Sequence, residues 1–381
     1  MNDSNHPKSA QTGGISPAVT EALVENFAAR AATHDADGSF VHGNYDDLLA
    51  KGIYGALVPE ALGGLGCSYR DVADFVRRVG QACGSTALSL SMHSHLVAAA
   101  VWKLEHGKPT EPLLRKVAGG AVLISTGAGD WLGSNGTMER VEGGYRLNAR
   151  KPFCSGSPRG TIFITTSVFA DPDRGERVLH FPVAAQAPGV RLLDDWDTMG
   201  MRGTGSQTAV FEDVFVPETS IGLDRPRAGW HPAWNVVLTV AAPLYTAAYV
   251  GIAEAACDLA RAAARKRAGE HTPYLLGDME NQLATCQMAH REMVANVAEF
   301  DFLPKLERTN ATLIRKTVAT NAARAAVDCA MEVAGGSSIA RAKGLERHYR
   351  DVRAGAFHPL AEKAQTHFTG RVALGLSPIA D

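Results

Sequence analysis

The hydrophobic pattern divides the chain into a helical region, a β-rich region and a second helical region. Between residues 16 and 120, apolar residues recur at spacings typical of amphipathic helices. Between residues 121 and 229, short β-branched and aromatic runs alternate with turn residues, which predicts strands. From residue 230 the helical spacing returns. We therefore predict an α+β fold: an N-terminal helical domain, a central antiparallel β-barrel or sandwich, and a C-terminal four-helix bundle.

The stretch from Trp196 to Pro217 marks the end of the β-rich region. A turn rich in glycine and hydroxyl residues, Gly200 to Ser206, leads into a valine- and phenylalanine-rich run with strand alternation. A long apolar helix is predicted soon afterwards, from Ala233 to Lys266, with Pro243 as a possible kink. This stretch is therefore interpreted as the exit from the β-domain.

Glycine, proline and other residues that interrupt helices and strands set the boundaries of the remaining predicted elements. Helices are predicted over 16–32, 46–51, 68–83, 85–106, 111–118, 276–301, 303–335 and 361–376. Strands are predicted over 122–126, 136–141, 145–149, 161–169 and 177–182, with a glycine-rich loop over 127–135. Residues 1–15 are polar and are expected to form a mobile tail.

Composition narrows the class of partner. The 381 residues are 45% hydrophobic and 20% charged, as in ordinary globular proteins. With 38 Lys and Arg against 40 Asp and Glu, no overall charge favours nucleic acid or an anionic membrane, so a small-molecule substrate is expected. The six cysteines form no CxxC pair, no metal motif is present, and no signal peptide or membrane span is expected. A cytoplasmic protein with reduced thiols is predicted.

Candidate chemistry is found at a few positions, each with a purely structural alternative. Phe153 precedes Ser155 by two residues, so ring and hydroxyl could contact a flat conjugated ligand or simply end a strand. Gly335-Gly336 permits close approach of a ligand, or caps a helix. His358 stands at a rigid corner before a proline. His93 and His95 lie in an apolar helix, either as core histidines bonded to carbonyls or as residues of a pocket.

Taken together, several segments resemble the acyl-CoA dehydrogenase superfamily. They occur in the family's order along nearly the whole chain: Val58–Gly66, Met199–Arg202, Phe211–Pro217, Gly335-Gly336 and Arg350-Asp351. The resemblance implies an α-β-α subunit with a flavin between the β-domain and the C-terminal bundle. It also implies a homotetramer or homodimer.

The resemblance further implies roles for individual residues. Ser125 and Thr126 would touch the flavin ring, Phe153 would take the place of a tryptophan beside it, and Ser155 would lie near flavin N5. Arg265 would reach the pyrophosphate, and Gly335-Gly336 would lie along the cofactor of a neighbouring subunit. Ala268 replaces a family phenylalanine, and a Phe-Gln pair is missing around residues 277–282. FAD and FMN therefore both remain open.

One departure from the family concerns the catalytic base. A dehydrogenase needs a carboxylate to remove the α-proton of an acyl thioester, but the two family positions hold Pro359 and Ala241. Ser155, His358 and either His93 or His95 instead resemble the reduced-flavin monooxygenase branch, which includes dibenzothiophene monooxygenases. That resemblance implies oxygen chemistry at flavin C4a and a separate flavin reductase. The alternatives are an FAD-dependent acyl-CoA dehydrogenase with an unaligned base, and a non-catalytic scaffold.

Overall fold

The computed structural model describes residues 13–266 and 269–379. Its elements follow the predicted order of helices, strands and helices. The N-terminal helices are α1 (Pro17–Asp37), α2 (His42–Ala50), α3 (Tyr69–Ala82), α4 (Gly84–Glu105) and α5 (Glu111–Ala118). The β-region contains β1 (Leu123–Ser125), α6 (Ala128–Gly133), β2 (Thr137–Val141), β3 (Gly144–Cys154), β4 (Ile162–Asp171), β5 (Gly175–Ala184), β6 (Val190–Leu192), β7 (Gln207–Pro217) and β8 (Leu223–Pro226). The C-terminal helices are α7 (Ala233–Lys266), α8 (Thr272–Val297), α9 (Leu306–Ala334), α10 (Leu345–Val352) and α11 (Glu362–Ala373).

Helix starts in the first region follow from local capping. Ser16 accepts the Val19 N–H at 3.3 Å, and Ser68 accepts the Asp71 N–H at 3.0 Å. Each bond satisfies a backbone donor that the first helical turn leaves free. Most of the predicted mobile tail, residues 1–12, lies outside the described residues, whereas Gly13 forms an isolated β-bridge with Cys67.

The sheet is mixed rather than purely antiparallel. Its strand order is β6-β7-β3-β2-β4-β5-β8, with β1 attached to β4. Strands β1 and β2 both run parallel to β4, and the other neighbouring pairs are antiparallel. The order has two unpaired ends, β6 and β8, so barrel closure is not observed among the described strands. The predicted loop over 127–135 contains the short helix α6.

A buried lysine fills the gap between β1 and β2 along the edge of β4. Strand β1 pairs with β4 up to Ile164, and β2 resumes the pairing at Val168. Between them, the Lys151 ammonium donates to the Asp130 carboxylate, to the Thr166 carbonyl at 2.8 Å and to the Asn135 carbonyl at 2.8 Å. These bonds use all three ammonium protons. Lys151 and Asp130 therefore hold the sheet together where no strand does.

The C-terminal bundle is organised around α7, which packs against α8 and α9. By length and composition α7 could cross a membrane, contrary to the expectation that no such segment exists, but 94% of its most apolar window is buried inside the protein. Pro243 lies within α7, and its carbonyl accepts the His290 Nε2–H at 3.0 Å. Helix α7 is thus a core helix of the fold.

We expect Lys151→Met to destabilise the protein by about 3–5 kcal/mol, because it leaves the Asp130 carboxylate buried without its cation. Urea unfolding monitored by circular dichroism measures the change. The double variant with Asp130→Asn should recover part of the loss. Arg150→Met, at the exposed neighbouring position, is the control and should change the unfolding free energy little. A small effect of Lys151→Met would contradict the role assigned to this ion pair.

Candidate active site

The turn between β6 and β7 is held by the C-terminal bundle. Arg350 on α10 donates to the Met199 carbonyl at 2.8 Å, and Asp351 accepts the Met201 N–H at 2.5 Å. A side chain at Gly200 would collide with the Arg350 backbone. The motifs Met199–Arg202 and Arg350-Asp351 therefore contact each other directly, which explains why the turn needs glycine at position 200.

The N-terminal domain holds the same turn from the other side. The Arg202 Nε–H donates to the Asp35 carbonyl at 2.7 Å, and the Asp35 carboxylate pairs with Arg350 at 2.5 Å. The Gly203 N–H donates to the Ser85 hydroxyl at the start of α4, at 3.2 Å. All three regions of the chain thus meet at this turn.

Asp351 is 4% exposed, and burial raises its pKa from 3.8 to about 6, although the bond from the Met201 N–H and the charge of Arg347 oppose the shift. Ionising Asp351 therefore costs more free energy here than in water, and its carboxyl group stays protonated up to about pH 6.

Three hydroxyl groups form a chain that ends at the turn. The Ser155 hydroxyl lies 2.8 Å from the Ser206 hydroxyl, which lies 2.8 Å from the Thr204 hydroxyl. Thr204 in turn donates to the Met201 carbonyl at 2.9 Å. Ser206 and Thr204 are buried, whereas Ser155 is partly exposed. The turn therefore fixes the side chain of Ser155.

Phe153 presents an aromatic ring next to this hydroxyl chain. It adopts a left-handed backbone conformation with φ of 62°, which is uncommon for a bulky residue, and is 65% exposed. Its ring lies nearly perpendicular to the Trp196 ring, at a centroid distance of 6.0 Å. Gly156 follows with φ of 75°, and a side chain there would collide with the Tyr45 hydroxyl. An exposed aromatic face beside a fixed hydroxyl fits the flat ring of a flavin.

A second cluster joins His358 to α4, α7 and α9. The His358 ring stacks on Tyr245 at 4.8 Å, and its Nε2 lies 2.5 Å from the Tyr249 hydroxyl. Burial lowers the pKa of His358 to about 3, and the charges of Lys316 and His95 lower it further. Burial also raises the Tyr249 pKa well above its usual value, so the phenol keeps its proton. Tyr249 is 0% exposed, and its hydroxyl has no other acceptor among the described residues, so we assign it as the donor to Nε2 of a neutral imidazole, which places the ring proton on Nδ1.

His95 has the complementary arrangement. Its Nδ1–H donates to the Ser91 carbonyl at 3.2 Å, so its Nε2 carries a free lone pair. Burial lowers its pKa to about 4, and it is therefore neutral near pH 7. His95 thus offers an acceptor and His358 a donor, and the charges of the two imidazoles interact.

The backbone after His358 is fixed by two further side chains. The Tyr245 hydroxyl donates to the Pro359 carbonyl at 2.7 Å, and the Lys316 ammonium donates to the Leu360 carbonyl at 2.7 Å. Lys316 is 1% exposed, and burial lowers its pKa to about 8, with Glu362 opposing the shift. The corner predicted at His358-Pro359 is therefore rigid.

His93 faces another part of the core. Its Nδ1 accepts the Leu123 N–H at 2.9 Å, so its Nε2–H donates to the Tyr54 carbonyl at 3.0 Å. Both ring nitrogens are used, and burial lowers its pKa to about 4. This matches the interpretation of a core histidine bonded to a carbonyl, and it favours His95 over His93 as the pocket residue.

The other predicted site residues are dispersed. Ser125 is buried at the end of β1. The Thr126 hydroxyl donates a hydrogen bond to the Asp130 carboxylate at 2.7 Å. Arg265 is exposed at the end of α7, and Gly335-Gly336 is exposed after α9, with open space where a side chain would stand. Ala268 lies outside the described residues. None of these residues hydrogen-bonds to either cluster within the parts of the chain that the structure describes, so their cofactor roles stay predictions.

Over residues 13–266 and 269–379, no group of three or more His, Cys, Asp and Glu side chains is arranged to hold a metal ion. The two family positions for a catalytic carboxylate are occupied by Ala241, which is buried in α7, and by Pro359. Neither of these two positions can therefore supply a carboxylate base.

Two models of one protein family match the chain. The N-terminal domain of acyl-CoA dehydrogenases matches residues 14–120, and their C-terminal domain matches residues 244–363. The chain belongs to the acyl-CoA dehydrogenase family. It is a flavin-dependent oxidoreductase of that family.

The relatives of this chain include a nitrososynthase and a monooxygenase. The amino sugar nitrososynthase DnmZ of Streptomyces peucetius is 30% identical over 348 residues, covering 87% of this chain and 86% of the relative. Dibenzothiophene monooxygenase of Rhodococcus erythropolis is 26% identical over 382 residues, covering 90% and 89%. The solved structure of KijD3 with FMN and dTDP-3-amino-2,3,6-trideoxy-4-keto-3-methyl-D-glucose has a TM-score of 0.85 at 29% identity, covering 96% of each chain.

Sequence reasoning missed several residues that shape the site. Tyr245 and Tyr249 are one helical turn apart on α7, and Lys316 lies among buried positions of α9. A single lysine on a buried helical face is a signal that periodicity could have found. The direct contact of Asp351 with Met201 had no sequence signal, because it joins residues 150 positions apart.

We expect Asp351→Asn to remove a pH-dependent loss of stability. The folded pKa of about 6 exceeds 3.8, so the native state binds more protons between these values, and stability falls as pH rises through 6. The asparagine keeps an acceptor for the Met201 N–H but cannot ionise. The variant should gain up to about 3 kcal/mol relative to the wild type between pH 4 and pH 7. Urea unfolding across this range measures it, with the exposed Asp173→Asn as control. Parallel stability curves for the wild type and Asp351→Asn would refute the assignment.

Proposed function

We propose that this protein is a reduced-flavin-dependent monooxygenase that transfers one oxygen atom from O2 to an amine on a small molecule. A separate reductase would supply the reduced flavin, with FMN favoured over FAD. The supporting observation is the cluster of His95, His358, Tyr249 and Lys316. Its polar groups are two neutral imidazoles, a phenol and an ammonium, and no carboxylate bonds to the imidazoles or the phenol among the described residues.

The charge of the cluster argues against α-proton removal. A neutral imidazole with a pKa near 3 is a poor base for a weakly acidic carbon. The cationic Lys316 also disfavours a second positive charge nearby. A substrate amine would therefore stay neutral and keep the lone pair that must attack oxygen.

The reduced flavin, when bound, supplies the electrons that activate O2. Phe153 and Ser155 would hold its ring. His95 Nε2 accepts, and His358 Nδ1–H donates, so together they can orient an N–H or O–H group that both donates and accepts. Tyr249 fixes the tautomer of His358, and the rigid corner fixes its direction. As neutral hydrogen-bonding groups, the two imidazoles would orient the proton that must move when the oxygen–oxygen bond breaks, without taking it up themselves.

The relatives guide the choice of substrate. DnmZ is named as an amino sugar nitrososynthase, and KijD3 was solved with FMN and a dTDP-linked amino sugar. An amino sugar nucleotide is therefore the first substrate to test. Testing a panel of amino sugar nucleotides would identify the specific sugar.

We expect the purified protein with FMN, a flavin reductase, NADH and air to give a product that is one oxygen atom heavier, and ¹⁸O2 should label it. His95→Ala and His358→Ala should each lower the rate of product formation by about 100-fold, since each removes a group that orients a proton. Mass spectrometry measures the product, with catalase present to remove free peroxide. The exposed His271→Ala is the matched control and should retain activity.

Two outcomes would contradict the proposal. Anaerobic bleaching of bound FAD by an acyl-CoA, without oxygenated product, would identify an acyl-CoA dehydrogenase. Absence of binding for both oxidised and reduced flavin would favour a non-catalytic scaffold.

We also propose that the chain assembles as a homodimer or homotetramer through its C-terminal bundle. Ile314 and Val318 lie one turn apart on α9 and are 38% and 44% exposed, and Ile339 and Leu374 are 74% and 76% exposed. Exposed apolar side chains of this size on one helical bundle favour a protein interface there. Light scattering should give the mass of two or four chains, and Val318→Asp should lower it. The mass of a single chain for the wild type would refute the assembly.

A further inference from the structure

The hydroxyl chain at Ser155 has a fixed direction. A carbonyl oxygen can only accept, so the bond of 2.9 Å between Thr204 and the Met201 carbonyl requires Thr204 to donate its single proton there. The opposite arrangement would leave two oxygens 2.9 Å apart with no proton between them. Thr204 must therefore accept from Ser206, 2.8 Å away.

The same reasoning carries the direction to the surface of the site. Ser206 donates its one hydroxyl proton to Thr204, so it accepts the hydrogen bond from Ser155, whose hydroxyl lies 2.8 Å away. Ser155 therefore donates its own hydroxyl proton to Ser206, toward the protein interior. What Ser155 presents outward is a pair of lone pairs, and it can only accept a hydrogen bond from a ligand.

The burial of the hydroxyl chain maintains the direction of its hydrogen bonds. Thr204 is 0% and Ser206 5% exposed, so water does not compete for their protons. The Met201 carbonyl at the inner end also accepts from the Thr204 N–H at 3.1 Å and the Trp196 indole N–H at 3.2 Å. Its position is set by the bond from the Met201 N–H to Asp351 on α10. The inner end is therefore fixed by the fold rather than by the ligand.

The two redox states of a flavin differ at the atom that would meet Ser155. Oxidised flavin has a bare N5 that only accepts a hydrogen bond, whereas reduced flavin carries an N5–H that donates one. A Ser155 oxygen restricted to accepting is complementary to the N5–H and faces the lone pair of the oxidised form unfavourably.

We propose that Thr204 and Ser206 are positioning residues that make Ser155 a hydrogen-bond acceptor, and that the site thereby selects reduced over oxidised flavin. This inference rests on the proposed function, in which flavin N5 lies beside Ser155. It assigns the selection to residues that do not themselves touch the cofactor. The hydroxyl chain thus ensures that the flavin form able to activate O2 is the one retained.

The test is the ratio of two dissociation constants, measured without turnover. FMN and photoreduced FMN are titrated anaerobically into the full-length protein, and tryptophan fluorescence reports binding. The wild type should bind reduced FMN more tightly than FMN. Ser206→Ala removes the inner acceptor of Ser155, and Thr204→Val removes that of Ser206, so in both variants a proton turns outward toward N5. Each variant should lower the ratio of the FMN to the reduced-FMN dissociation constant by about tenfold.

Three further variants separate positioning from simple structural damage. Thr204→Ser keeps the hydroxyl and should keep the wild-type ratio. Ser157→Ala removes a neighbouring buried hydroxyl that donates to the Gly205 carbonyl and is not part of the hydroxyl chain. This variant should also keep the wild-type ratio. In a Ser155→Ala background, Ser206→Ala should have no further effect on the ratio, because the group it directs is absent.

The outcomes distinguish this inference from the proposed function. An unchanged ratio in Ser206→Ala and Thr204→Val, with both redox forms still bound, overturns the selection by hydroxyl direction and leaves the monooxygenase proposal standing. A wild type that binds neither form overturns the proposed function, and the inference with it.

Discussion

The contact between Asp351 and the Met201 N–H is the constraint on which the site depends. It joins α10 to the turn that carries Thr204 and Ser206, and the adjacent Arg350 ties the same turn to Asp35 of α1. A β-domain turn is a flexible element by itself, but here the two helical domains hold it from opposite sides. The position of Ser155 therefore depends on the packing of the whole chain, although Ser155 belongs to the β-domain.

Helix α4 connects the two clusters of the site. Ser85, at its first turn, holds the Gly203 N–H near the hydroxyl chain, and His95 belongs to the imidazole cluster ten residues later. At 1.5 Å rise per residue this is about 15 Å along one rigid helix. Helix α4 thus sets the spacing between the end of the site that would hold the flavin ring and the end that would hold the substrate.

Much of the fold was readable from the sequence because it follows local rules. Helices α1, α3 and α7 begin where a cap or the apolar period predicts, and β7 follows the valine alternation. The parallel pairing of β1 and β2 with β4 was not predictable, because strand direction depends on which strands become neighbours. The same holds for His93 and His95: they lie on one helix two residues apart, and only the packing against Tyr54 decides that His93 faces the core.

The lysine between β1 and β2 has a consequence for solubility. An open stretch of strand edge offers unpaired carbonyls to which another chain can add a strand, and such edges promote aggregation. The Lys151 ammonium occupies the Thr166 carbonyl, and the Asp130 carboxylate beside it places a second charge at the gap. Because extending the sheet there would mean displacing a buried ion pair, this edge of β4 is closed to intermolecular pairing even though the strands on either side of it stop short of each other.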